Sequence, residues 1–139
     1  MKIYSKIIFI LILLEIFLTS YLYYSSPSDS AICLDESSCE FVQNSSYGYV
    51  YGIKVSLFGL IAFIILLSIY LLSIKNKKMF YLYLLMCLLG SIIAIYFIYL
   101  QLFVLKQICS NCMIIDGTMI LIFIISLMDY RKSKPILKV

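Results

Sequence analysis

The chain contains no histidine and no tryptophan, and only 13% of its 139 residues are charged. Without histidine there is no imidazole acid–base catalysis and no histidine-ligated metal or haem. The scarcity of charge excludes an ordinary soluble domain. With 64% of residues hydrophobic, a chain of this length cannot hide its apolar surface in a single core. The formal charge of +4 does not point to nucleic acid, because the lysines form no stripe and instead flank the apolar runs.

What is present is a set of long apolar runs at residues 7–24, 55–74, 79–105 and 109–128. A bilayer core is crossed by about 20 residues of helix. Backbone groups in lipid must bond internally, so the runs are expected to be helical. The third exceeds the needed length and is expected to tilt or protrude. The first ends in Thr19-Ser20-Tyr21-Leu22-Tyr23-Tyr24, too bulky for a signal-cleavage site. Gly59, Gly90 and Ser91 offer small surfaces for close helix contact. Several of the thirteen tyrosines lie near run ends, where a ring with a polar tip suits the headgroup layer. The expected fold is an all-α integral membrane protein: one four-transmembrane-helix bundle over residues 1–139, capped by the polar loop 25–54.

Charge sets the expected orientation. Lys2, Lys6, Lys75, Lys77, Lys78, Arg131, Lys132, Lys134 and Lys138 fall on one side, and Lys54 and Lys106 on the other. The positive-inside bias puts both termini in the cytoplasm of a multi-pass protein, as in a prokaryotic cell membrane. The loop, with Asp29, Asp35, Glu36 and Glu40, then faces outward, where disulfides persist.

Four of the five cysteines collect on that outer side. Cys33 and Cys39 are in the loop, and Cys109-Ser110-Asn111-Cys112 opens the last run. A C-x-x-C at a helix start brings two sulfurs within reach of each other, and free amides and the helix dipole favour a thiolate. Ser110 or Asn111 is available to cap the helix. The loop pair reads either as a static staple or as a shuttle exchanging with the second pair through a mixed disulfide. An all-cysteine zinc site would use the same four residues, but C-x5-C is an atypical knuckle. Cys87, between Met86 and Leu88 in the third run, reads as a buried small hydrophobe. Glu15, in mid-run, is either an inward-facing hydrogen-bonding carboxyl or a polar group beside a cofactor pocket or proton route. Asp116 shares a helix face with Cys109 and Cys112. It is placed to donate to a redox cofactor or thiol, or to tie the helix to a neighbouring tyrosine.

The series Cys33, Cys39-Glu40-Phe41-Val42-Gln43-Asn44-Ser45, Tyr47, Gly52-Ile53, Leu57-Phe58-Gly59, Tyr96-Phe97-Ile98-Tyr99-Leu100-Gln101 and Cys109-Ser110-Asn111-Cys112 resembles the vitamin K epoxide reductase family in its microbial form, over nearly the whole chain. The resemblance implies a quinone-dependent thiol–disulfide oxidoreductase. Cys33 would meet the partner's thiol, Cys39 would relay electrons to Cys109, and Cys112 would sit against the quinone. Ser45 matches the family serine near that cysteine; otherwise it is a turn or helix cap, with Ser46 as the neighbouring alternative. Asp116, Phe58, Tyr96, Tyr99 and Phe103 are the expected pocket walls. Ile53-Lys54 departs from the usual Ile/Leu-Pro before the second span. The implied cofactor is a quinone: menaquinone, ubiquinone or a vitamin K-like ring. The implied partners are a separate secreted or membrane-anchored thioredoxin-like or DsbA-like protein and the membrane quinone pool. Two alternatives use the same residues: a reductase running towards quinol from vitamin K quinone or epoxide, and a non-catalytic membrane subunit whose disulfides are structural. A small transporter gains no support from an internal repeat.

Overall fold

The computed structural model describes residues 3–24 and 36–133. Cys33 and the expected linker at 25–30 lie outside the described residues. Among the described residues, four helices are long and apolar enough to cross a membrane. They are α1 (Ile3–Tyr24), α3 (Val55–Ser73), α4 (Lys77–Tyr99), prolonged by a π-helical segment Leu100–Leu105, and α5 (Ser110–Ser133). A short helix α2 (Glu36–Asn44) and the hairpin β1 (Tyr49–Val50) and β2 (Ile53–Lys54) lie in the loop. The membrane helices follow the apolar runs except at their ends. α1 starts at Ile3 and α5 continues to Ser133, because Lys6, Arg131 and Lys132 can be carried on helix that emerges into the polar interface.

The four long helices form a ring. α1 packs against α3 and α5, and α4 packs against the same two. Short connections between α3, α4 and α5 make successive spans antiparallel. Asn76 starts α4 by accepting from Lys78 N at 3.1 Å. The outer faces carry large exposed apolar side chains such as Phe17, Ile92 and Ile95, which only lipid would cover. The half of the ring remote from the C-x-x-C is a dense core containing Ile8, Ile12, Leu66, Tyr83, Cys87 and Ile122. Several of its polar groups pair with one another, although Asp129 Oδ1, near Tyr70, is buried without a partner among the described residues. The Tyr83 hydroxyl meets Ser126 Oγ at 2.8 Å, and the Tyr70 hydroxyl donates to Ser5 O at 2.8 Å. Cys87 is fully buried there.

Glu15 faces inward and is fully buried, and both of its carboxyl oxygens lack a hydrogen-bond partner among the described residues. It faces Thr118 and Asp116 of α5. The Thr118 hydroxyl is committed to Ile114 O at 2.8 Å.

The loop is tied down at its hairpin. Tyr51 (φ 52°) and Gly52 (φ 78°) are both left-handed, the requirement of a two-residue turn whose twist suits the flanking strands. Gly48 is required for another reason, since a Cβ there would strike the Gln43 carbonyl at the end of α2. Gly48 N donates to Ser45 O at 2.9 Å and Val55 N to Gly48 O at 3.0 Å, locking α2, hairpin and α3 together. Lys54, where the resemblance implies a proline, has φ −60° and ψ 133°. Those are angles proline itself favours, so the junction keeps its shape without the ring.

Candidate active site

Cys109 sits immediately before α5 and acts as its N-cap. Its carbonyl accepts from Met113 N at 2.9 Å, and its sulfur accepts from Cys112 N at 3.4 Å. The expected capping by Ser110 or Asn111 is thus supplied by a cysteine sulfur. Cys112 Sγ also donates to Cys109 Sγ at 2.6 Å; both are free thiols. The amide of Cys109 donates to Gln101 Oε1, 3.0 Å away on the π-helical segment. The Cys109 thiol is lowered to about 7, first by the hydrogen bond from the Cys112 thiol and then by the Cys112 and Asn111 amides and the nearby dipole of the Gln43 amide, which makes no hydrogen bond to it, against the opposing effect of burial. Thiolate character therefore develops at Cys109, the buried member of the pair.

Cys39 is disulfide-bonded and fully buried. It shares one apolar cluster with Val42 and Cys109, with Leu105 and Cys112 packed against it. α2 is held there by Ser38 Oγ, which donates to Gln107 Oε1 at 2.7 Å in the turn before the C-x-x-C. The loop cysteine and the membrane pair therefore meet in one buried spot.

Beneath α2 lies a cavity of about 480 Å³. That is within the range of small-ligand sites. Its walls are mainly apolar, from Phe58, Phe63, Leu66, Leu89, Phe97 and Met119. Thr19, Gln43, Ser45, Tyr47, Lys54, Ser56, Gln101, Cys112 and Asp116 supply the polar points. Phe58 on α3 and Leu89 and Ile93 on α4 are about half exposed, which puts the opening on the flank between those helices.

Of the residues expected at the pocket, Ser45, Phe58, Cys112 and Asp116 line it. Tyr96, Tyr99 and Phe103 do not. They are 53%, 52% and 66% exposed, and the Tyr99 and Phe103 rings stack on each other at 5.2 Å on the outer face. The reason is helical phase. Gly90, Ala94 and Phe97 share the inward face of α4, so Phe97 is the wall aromatic. In the π-helical segment the repeat lengthens to i→i+5, which brings Leu100 and Leu105 inward together and leaves Phe103 outside. The spacing from Gly90 and Ala94 was the available signal for Phe97. Ser45 lines the cavity, but its hydroxyl is committed to Val42 O at 2.7 Å, a helix-end cap. Gln43 and Gln101 were not anticipated as site residues; a lone amide within an otherwise apolar run was the only sign of Gln101.

A sequence model of the Vitamin K epoxide reductase family matches residues 6–127, which takes in all four spans, the loop and the C-x-x-C. The chain belongs to the vitamin K epoxide reductase family. No curated protein and no solved structure matches it. Vitamin K epoxide reductase proteins are all-helical membrane oxidoreductases that work on thiols and disulfides and use quinones. The four apolar helices make this member a multi-pass membrane protein.

Proposed function

We propose that this vitamin K epoxide reductase family member oxidises a dithiol on a secreted or membrane-anchored thioredoxin-like protein and delivers the electrons to a membrane quinone. The observation that carries the reading is the shared burial of Cys39 and Cys109, with Cys112 in the wall of an apolar cavity that opens towards lipid. The cavity suits a quinone ring: aromatic and aliphatic walls, a few polar points, and one buried donor, Gln43 Nε2, with no partner among the described residues. A bound quinone supplies the two-electron acceptor.

The protein's own residues carry the exchange. The partner's thiolate attacks the Cys33–Cys39 bond, and Cys39 leaves as a thiolate. Cys39 attacks Cys109 of the oxidised C-x-x-C, and Cys112 leaves. The partner's second thiol then becomes half of its own disulfide, Cys33 rejoins Cys39, and Cys109 and Cys112 are left as a dithiol. That dithiol returns to a disulfide by giving up two electrons and two protons, which convert quinone to quinol. The hydrogen bond between Cys112 Sγ and the thiolate-prone Cys109 gives the Cys112 proton an acceptor and frees its sulfur to act towards the cavity. The basic cluster at the opposite end of the bundle favours a cytoplasmic position for both termini and an extracytoplasmic position for the cysteines.

Anaerobic mixing of the purified protein with a reduced thioredoxin-like protein and a short-tailed quinone is the direct test. Quinol should accumulate, and its formation should stop in Cys112→Ala. In that variant a Cys39–Cys109 crosslink should become trappable. Turnover that survives Cys39→Ala would remove the relay from the scheme.

A further inference from the structure

Polar groups in an apolar cavity must each be satisfied by something. Thr19 Oγ1 donates to Glu15 O at 2.7 Å, and Ser45 Oγ donates to Val42 O at 2.7 Å, so neither hydroxyl has a proton for a ligand. Two side-chain amides differ. Gln43 Nε2 is buried and has no hydrogen-bond partner among the described residues. Leaving such a donor unmet is destabilising. Gln101 is 3% exposed, and its oxygen is claimed by the Cys109 amide at 3.0 Å. That bond fixes the amide's orientation and leaves its NH2 as the end still to be used. Both glutamines line the cavity, and both approach it from the Cys109 side.

We propose that Gln43 and Gln101 form an amide clamp that donates hydrogen bonds to one ring carbonyl oxygen of the quinone, holding that oxygen beside Cys112. The inference rests on the quinone reading above and names the residues that would bind the ring. The Cys109 sulfur does not compete well for Gln43, because it already accepts from the Cys112 thiol and the Cys112 amide. A carbonyl oxygen has two lone pairs and can take both amides. When the Cys109–Cys112 dithiol becomes a disulfide, its two electrons and two protons pass to the quinone. Donors already aimed at the oxygen that gains electron density favour that step without reorganising. Gln43 is four residues after Cys39 on α2, so one helix face carries both the relay sulfur and a ligand donor. A quinone held by Gln43 therefore also holds α2 docked on the C-x-x-C.

The test uses a short-tailed menaquinone, ¹³C-labelled at its ring carbonyls, bound to the purified full-length protein. Infrared difference spectra should show one carbonyl stretch shifted down relative to the quinone in detergent. Gln43→Met, close in size but without a donor, should return that band part of the way, the Gln101 bond remaining, and weaken quinone binding about tenfold. The Cys39–Cys109 crosslink in a Cys112→Ala background reports whether α2 still docks, which separates a lost donor from a lost fold. A Gln43→Met band and affinity equal to wild type, with the crosslink intact, would overturn the clamp. So would an unshifted carbonyl in the wild-type complex. A wild-type protein that neither binds nor reduces the quinone would sink the functional reading itself, a result visible before any variant is made.

Discussion

Cys87 and Cys109 are both fully buried, yet their surroundings differ in kind. Cys87 lies in the remote half of the bundle, packed among Ile8, Tyr83 and Ile122, where the neighbouring hydroxyls of Tyr83 and Ser126 bond to each other. Cys109 lies at the C-x-x-C end, where a disulfide-bonded cysteine, a free thiol and two glutamine amides converge above a cavity. Around Cys87 the neighbouring hydroxyls satisfy each other; around Cys109 an amide donor and two sulfurs are kept in reserve. Burial alone does not make a cysteine inert. What matters is whether its neighbours can stabilise a thiolate and whether a second sulfur is within reach.

The largest expected effect tests that contrast directly. Cys109→Ala or Cys112→Ala should lower quinone reduction by about a thousandfold or more, since each removes a bond-forming atom. Cys87→Ala should leave the rate within about twofold. A Cys87 variant that is dead while Cys109→Ala turns over would reverse the assignment of the two halves.

The cavity wall comes next. Phe97→Ala should raise the KM for quinone about tenfold, the scale of losing one buried aromatic contact. Phe103→Ala on the outer face should leave KM unchanged within error. Steady-state kinetics on the pair decides between the inward phase of α4 described above and the alternative in which Tyr96, Tyr99 and Phe103 line the site.

A third test sharpens the electrostatic difference. The Cys109 thiolate, followed by its ultraviolet absorbance, should titrate near pH 7, and in Cys112→Ala its midpoint should move up towards the ordinary thiol range. The sign carries over to stability. A lowered thiol contributes fully above its unfolded value, and the contribution is lost as pH falls through about 7. A midpoint unmoved by Cys112→Ala would mean that the neighbouring thiol is not the main cause.

The smallest effect belongs to the half around Cys87. Tyr83→Phe should cost about 0.6 kcal/mol of stability, typical of one hydrogen bond between membrane helices. Thermal unfolding in detergent would report it, and the quinone KM should not change. A KM that moved with Tyr83→Phe would show the two halves to be coupled rather than separate.

Much of this was legible along the chain. The apolar runs mark the helices because hydrocarbon forces the backbone to bond to itself within each segment, a local demand that composition reveals. The C-x-x-C was readable for the same reason, since two residues of spacing at a helix start fix two sulfurs near each other. Less legible was whatever depended on phase or on a distant partner. Phe97 faces the cavity through its helical spacing from Gly90 and Ala94, but the π-helical segment that turns Leu105 inward and leaves Phe103 outside is announced by no run of side chains. Ser45 is expected beside the quinone-side cysteine, yet its proton is taken by Val42 O, a contact set by the turn that Gly48 allows.

By itself, the sequence determined that this protein spans a membrane with four helices and carries two cysteine pairs, because hydropathy and short-range spacing act within single segments. Only the tertiary structure decided that Cys39 and Cys109 share one buried cluster, that the Cys109 amide is answered by Gln101, and that Gln43 is left with a donor to offer. These are contacts between segments far apart in the chain. Their geometry follows from how the helices pack against one another, which no single stretch of residues encodes.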